Sequence, residues 1–156
     1  MNIRFEHASF DDAPALTEIQ IRAFDDDARR FGNQPDGGPP GYDSVDAQCD
    51  LMRTARAYFK IIMDDQTVGG LVVFEHPEAN LFELSHLYID PNFQDRGIGT
   101  QAMNLMETTF PDATRWMLHT PQWATRNHHF YEKLGYNKVA EETQEDGFVL
   151  FRYEKA

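Results

Sequence analysis

The chain has 156 residues, 41% of them hydrophobic and 26% charged, a size and balance that suit one globular domain over residues 1–156, burying roughly two-thirds of its unfolded surface. Its 14 Lys and Arg stand against 26 Asp and Glu, so the formal net charge of -12 repels phosphate backbones, excludes a nucleic-acid partner and favours a cation as any charged substrate. A single cysteine, Cys49, cannot close an internal disulfide, the opening Met1-Asn2-Ile3-Arg4-Phe5-Glu6 has no signal-peptide core, and no apolar run approaches the roughly 18 residues of a membrane span, so a cytoplasmic protein with no membrane partner is expected.

Ile3 to Ala8 reads as a first strand. Asp11, Asp12 and Pro14 suit the cap and first turn of a helix reaching about Phe24, with Leu16, Ile19 and Ala23 on one face and Asp25-Asp26-Asp27 ending it in solvent. From Phe31 to Tyr42 the run Phe-Gly-Asn-Gln-Pro-Asp-Gly-Gly-Pro-Pro-Gly-Tyr holds neither a regular helix nor a central strand, because Gly is permissive and Pro lacks an N–H. It is expected to be a loop. A helix from Val45 to about Thr54 precedes an antiparallel meander: strand Ala57 to Met63, turn Asp64-Asp65-Gln66, strand Thr67 to Glu75, turn His76 to Ala79, strand Leu81 to Ile89. A helix from about Ile98 to Phe110, the strand Arg115 to Thr120, a helix from about Thr125 to Leu134, and strands near Tyr136 to Glu142 and Phe148 to Tyr153 complete the chain. The expected fold class is α/β, with a mixed, mostly antiparallel central sheet flanked by helices.

The strongest local signal is Leu87-Tyr88-Ile89-Asp90-Pro91-Asn92-Phe93-Gln94-Asp95-Arg96-Gly97-Ile98-Gly99-Thr100, which places a strand, a polar turn with two glycines and a helix in succession. Gly97 and Gly99 let the backbone approach an anion closely, and the unpaired N–H groups that open the helix point at it with the helix dipole behind them. A Walker A loop is excluded, because Gly99 is followed by Thr100-Gln101 rather than Lys and a hydroxyl residue. Gly97-Ile98-Gly99-Thr100-Gln101-Ala102 satisfies the bare Rossmann string, but Asp90 to Arg96 intervene between strand and glycine, and the next strand ends Leu118-His119-Thr120 where an acid for the ribose would be expected. The spacing Gln94-x-x-Gly97-x-Gly99, after a strand ending Ile89-Asp90-Pro91, resembles the coenzyme A motif of the GNAT superfamily of acyl-CoA-dependent N-acyltransferases. A glycine turn that serves only strand-helix packing is the bland alternative.

Asn127-His128-His129-Phe130-Tyr131-Glu132-Lys133-Leu134-Gly135-Tyr136 resembles the second motif of that superfamily, a helix that ends at Gly and runs into an aromatic-led strand. The resemblance extends from about Phe82 to Tyr136 most strongly and is weak before Ala57. It implies acetyl-CoA as cosubstrate, with the backbone of Leu87 and Ile89 holding the pantetheine arm. It also implies that the amides of Gln94, Asp95, Arg96, Gly97, Ile98, Gly99 and Thr100 wrap the pyrophosphate while Asn127 touches the arm from the other side. A homodimer is a further expectation from the resemblance.

Acyl transfer to an amine needs the neutral base, whereas an alkylammonium of pKa near ~10.4 is only about 0.04% neutral at pH 7, a cost of roughly 4.6 kcal/mol. By resemblance Glu83, on the strand leading to the turn, is the candidate general base and Tyr131 the acid that protonates the departing thiolate. Glu83 can equally be an idle strand carboxylate. His86, whose ordinary pKa suits proton transfer, is a rival base. Cys49 has no neighbour that would activate it, and His7, His76, His86, His119, His128 and His129 contain no HExxH, so neither an acyl-cysteine nor a metal is expected. The Phe31 to Tyr42 loop and Asp25, Asp26 and Asp27 are candidates to cover the acceptor amine. Two other classes remain open: a non-catalytic acyl-CoA sensor, and an interaction domain whose glycines serve packing. The acceptor's identity is not written in the sequence.

Overall fold

The computed structural model describes residues 2–156. Its strands are β1 (Ile3–His7), β2 (Ala57–Met63), β3 (Gln66–His76), β4 (Leu81–Ile89), β5 (Trp116–Pro121), β6 (Asn137–Thr143) and β7 (Val149–Lys155), and its helices α1 (Ala13–Phe31), α2 (Val45–Thr54), α3 (Ile98–Thr109) and α4 (Thr125–Lys133). The strands form one sheet in the order β1-β2-β3-β4-β5-β7-β6, antiparallel everywhere except between β4 and β5. This is the mixed, mostly antiparallel sheet that the sequence predicts.

The central strands are apolar on both faces because both are covered, the pattern of a sheet between helix layers. Phe59, Ile61, Leu71 and Leu84 meet Ile98, Ala102, Met103 and Met106 of α3 on one face. Tyr58, Val72 and Tyr88 meet Leu16, Ile19 and Ala23 of α1 on the other. Each helical set repeats at three- and four-residue intervals and so forms one stripe. Removing these side chains from water supplies the main driving force for the two layers, of the order of 2 kcal/mol for each large aliphatic group.

α1 departs from the expectation that it stops near Phe24. It runs through the three aspartates to Phe31, with Gly32 as its C-cap. Arg29 and Arg30 in its last turn suit the negative end of the helix dipole, and Arg30 pairs with Asp26 at 3.2 Å one turn earlier. Asp25 does not face solvent: its Oδ1 accepts hydrogen bonds from Tyr42 Oη at 2.6 Å and from the Gly37 N–H at 3.0 Å. The glycine-proline segment that follows is therefore tied to the helix. It is also tied to the sheet, since Gln48 Nε2 donates to Gly41 O, Gln48 Oε1 accepts from Tyr58 Oη, and Tyr58 and Tyr88 share a hydroxyl hydrogen bond.

Candidate active site

β4 and β5 pair only from Phe82 to Leu84, opposite Trp116 to Leu118, and then separate. A bulge marks the same point on the other side of β4. Leu84 faces Val73 and His86 faces Val72, so Ser85 is the extra residue. Beyond it the Asp90 N–H donates to Val68 O at 2.7 Å, which fixes the alternation of the ladder. Residues 86, 88 and 90 turn their backbone groups toward β3, and Leu87 and Ile89 therefore turn theirs into the gap between β4 and β5. The gap leaves a strand edge open to an extended ligand.

The turn after β4 is built around Asp90. Its Oδ1 accepts from the Asn92 N–H at 3.0 Å and its Oδ2 pairs with Arg22 of α1 at 2.8 Å. Gly97 then caps α3 with φ of 76°, a left-handed conformation that a side chain would strain. The first backbone N–H at the helix start to find a protein acceptor is that of Gln101, which donates to Gly97 O. The N–H groups of residues 95–100 have no protein acceptor among the described residues. A Cβ at Gly97 would meet nothing within 4 Å, whereas one at Gly99 would come within 3.2 Å of the Phe130 ring. A ring of free donors around open space fits a pyrophosphate, so the residues present fit coenzyme A. Arg126 of α4 braces the turn, donating to Gln94 Oε1 and Asp95 Oδ1 at 3.2 Å each, and its guanidinium lies 5.3 Å from the centre of the Phe31 ring at the end of α1.

These elements enclose a cleft of about 1510 Å³, which Leu87, Ile89, Gln94, Asp95, Gly97, Ile98, Gly99, Thr100, Asn127 and Tyr131 all line. Two expected residues do not line it. Arg96 folds its guanidinium 5.2 Å over the Phe93 ring, leaving only its backbone for the turn. Glu83, which precedes the bulge, places Oε1 2.8 Å from His76 Nε2. Cys49 lies on α2 away from the cleft. Among the described residues no group of three His, Cys, Asp or Glu is placed to hold a metal ion, and no helix is long and apolar enough to cross a membrane.

Tyr131 is positioned by the end of α4. Gly135, at φ of 95°, lets the Tyr136 N–H return to Tyr131 O and its own N–H to Glu132 O, at 3.1 Å each, the Schellman arrangement. Burial, then the charge of Asp27, raises the Tyr131 phenol well above its ordinary range. Its hydroxyl has no hydrogen-bond partner among the described residues and stays a protonated donor at neutral pH. His86 also lines the cleft, but burial lowers its pKa to about 4 against the opposing charge of Glu83, leaving a neutral and weakly basic ring.

Sequence reasoning grouped Asp27 with its two neighbours; the structure separates them. Asp25 braces the loop, Asp26 pairs with Arg30, and Asp27 alone lines the cleft, where burial raises its carboxyl to about 6 against the charges of Arg126 and Arg30. The signal was present in the spacing Ile19, Ala23, Asp27, which extends the buried stripe of α1 by one turn. The expected exit of the helix at Phe24 hid it. Also unforeseen was the β6–β7 turn, whose Glu145, Asp146 and Phe148 close one end of the cleft.

A parallel pair that parts at a bulge, followed by unpaired amides at a helix start, offers an extended anionic ligand a strand edge and a set of donors. Residues 15–136 match the model of the Acetyltransferase (GNAT) family, and the chain belongs to that family. It is 32% identical to the uncharacterized protein YrkN of Bacillus subtilis (strain 168) over 110 residues, 70% of this chain and 58% of that one, so it spans a little over half of that relative's length. Among solved structures it resembles an acetyltransferase from Thermus thermophilus, with a TM-score of 0.79 and 20% identity over 99% of this chain and 97% of the other. It also resembles the PaiA N-acetyltransferase of Thermoplasma acidophilum in complex with coenzyme A, with a TM-score of 0.76 and 17% identity over 99% of each chain. At these identities the structural likeness is one of fold.

Proposed function

We propose that the protein is an acetyl-CoA-dependent N-acetyltransferase that delivers the acetyl group to a primary amine of a small molecule or peptide by direct attack in a ternary complex. The observation that carries this reading is the placement of the unpartnered Tyr131 hydroxyl in the same cleft as the open edge of β4 and the free amides of residues 95–100. Acetyl-CoA supplies an activated acyl group as its thioester. The amides of residues 95–100 bind its pyrophosphate at the positive end of α3, with Arg126 holding the turn in shape. The backbone of Leu87 and Ile89 receives the pantetheine arm as an added strand, with Asn127 opposite, its Nδ2 resting 3.4 Å from Thr120 Oγ1. Tyr131 gives its hydroxyl proton to the departing sulfur, whose thiol pKa near ~8.5 makes it a much better leaving group than an alkoxide and still one that benefits from a donor. An N–H of the β4 edge polarises the acyl carbonyl as an oxyanion site does.

Calorimetric titration with acetyl-CoA, followed by thiol-release assays of the same sample against a panel of amines, tests this reading. Binding with release establishes the transferase and identifies an acceptor. Binding without release from a broad panel leaves an acyl-CoA sensor, and no binding at all overturns the assignment of the cleft.

A further inference from the structure

We propose that Asp27 is the acceptor-side carboxylate of the cleft, binding the acceptor as an alkylammonium ion and taking its proton before the amine attacks the thioester. This rests on the acetyltransferase reading above and adds to it the residue that selects and activates the acceptor.

The geometry isolates this carboxylate. The groups that face it are Asp26 and Arg30 on its own helix and Arg126 and Tyr131 on α4. Both cations are engaged elsewhere, Arg30 with Asp26 at 3.2 Å and Arg126 with Asp95 at 3.2 Å and Gln94. Asp27 itself makes no hydrogen bond or ion pair among the described residues. A largely buried carboxylate with no partner is costly to keep ionised, and its raised pKa of about 6 expresses that cost. An incoming ammonium removes it. Ala23 and Phe24, on the same helix as Asp27, line the cleft with Trp123 and suit an aliphatic stem, and Glu145 and Asp146 add acidic groups to a lining that also holds Lys133. Tyr131 lines the same cleft and lies close enough to feel the charge of Asp27, so an amine held at Asp27 comes near a thioester whose sulfur sits at Tyr131.

The other candidate bases are less suited. Glu83 is occupied by His76, and His86, kept neutral by burial, carries no negative charge to draw in and hold an ammonium. The ammonium gives one proton to Asp27, its freed lone pair forms the N–C bond as the C–S bond breaks, and the sulfur takes the hydroxyl proton of Tyr131. The second proton leaving nitrogen restores Tyr131, and Asp27 releases its proton to solvent, for a net yield of amide, thiol and one proton.

The test uses the full chain and the variants Asp27→Asn and Asp27→Glu, saturated with coenzyme A, with spermidine and n-hexylamine as cationic probes and 1-hexanol as a neutral control. Carboxyl ¹³C NMR follows the Asp27 titration, calorimetry measures probe binding, and thiol release from acetyl-CoA gives kcat and KM over roughly pH 5 to 8. The expected result is that either amine, but not the alcohol, lowers the Asp27 titration midpoint. Asp27→Asn should lower kcat/KM for the amine by about 10²- to 10⁴-fold and remove the acid limb of its pH profile, with Asp27→Glu restoring part of both. Acetyl-CoA affinity should stay unchanged in all three proteins. Absence of any amine effect on Asp27, or amine binding and turnover that Asp27→Asn leaves intact, overturns the proposal while retained acetyl-CoA binding leaves the transferase reading standing. Loss of acetyl-CoA binding in the wild type overturns the reading on which it rests.

Discussion

Asp27 and His86 each sit in the cleft with the charged form disfavoured, and their effects on stability run in opposite directions with pH. His86 has its pKa lowered by burial from 6.5 to about 4, so the unfolded chain binds the extra proton between those values. Stability from this group is present above pH 6.5 and is lost as pH falls toward 4, by up to about 3 kcal/mol. Asp27 has its carboxyl raised from 3.8 to about 6, so the folded chain binds the extra proton and stability falls as pH rises through that window. Asp27→Asn is therefore expected to stabilise the protein at pH 7 by about 3 kcal/mol and to have little effect near pH 4, as denaturant unfolding at the two pH values will show. At Gly97, where φ is 76° and the Cβ direction is open, Gly97→Ala should cost only the left-handed strain of about 1 kcal/mol. Gly97→Glu should cost a similar amount of stability yet abolish acetyl-CoA binding, by placing bulk and like charge among the amides. Calorimetric titration beside thermal unfolding separates the two effects.

At the scale of elements, the site depends on one irregularity in β4 and one brace on α1. Ser85 changes which residues of β4 face β5: Phe82 donates its N–H to Arg115 O before the bulge, and Leu87 and Ile89 turn theirs toward the gap after it. Without that extra residue the open edge would present Tyr88, whose phenol is buried against Tyr58 and Gly70. The brace is Asp25, which accepts from Tyr42 and Gly37 and so holds the segment that brings Gly38, Pro39 and Pro40 to the cleft. That hydrogen bond also pushes the Tyr42 phenol up to about 12. Tyr42→Phe removes a hydrogen bond to a charged acceptor and should cost about 1.5 kcal/mol. The loss should appear as faster amide exchange across residues 32–44 and a higher KM for the acceptor, with acetyl-CoA affinity unchanged; equal exchange in both proteins would show that the brace lies elsewhere.

For the whole molecule the net charge of -12 acts on the acceptor and on the acyl donor in opposite senses. The overall field draws in cations and repels a polyanion, so on the proposed reading the donor depends on short-range contacts with the free amides of the turn that Arg126 braces. Salt screens the long-range part first, because the Debye length shrinks to about 10 Å at 0.1 M. Raising ionic strength is accordingly expected to lower kcat/KM for spermidine several-fold more than for n-hexylamine, since attraction grows with acceptor charge. Initial rates with both amines between low and physiological salt measure this.

Much of the molecule was legible before its structure because its signals are local. Strand and helix positions follow from apolar period, the turn into α3 from Gly97 and Gly99 after an apolar strand, and the end of α4 from Gly135, each a property of a few adjacent residues. The family resemblance rests on the same two segments and correctly indicates the fold. What the sequence by itself could not settle was where α1 ends, because its last turns are held by Tyr42 and Gly37, partners that the chain supplies only after a loop. Nor could it separate three consecutive aspartates, which differ only in what lies across from them: a tyrosine, an arginine and the open cleft. Glu83 and Arg96 show the same limit, since position along the chain brings each close to the site while a contact with His76 or Phe93 turns its side chain away. Sequence determined the elements and the glycine turn before α3 through local periodicity and backbone freedom. Tertiary structure alone decided which carboxylate remains without a partner, because burial and pairing depend on residues far apart in the chain.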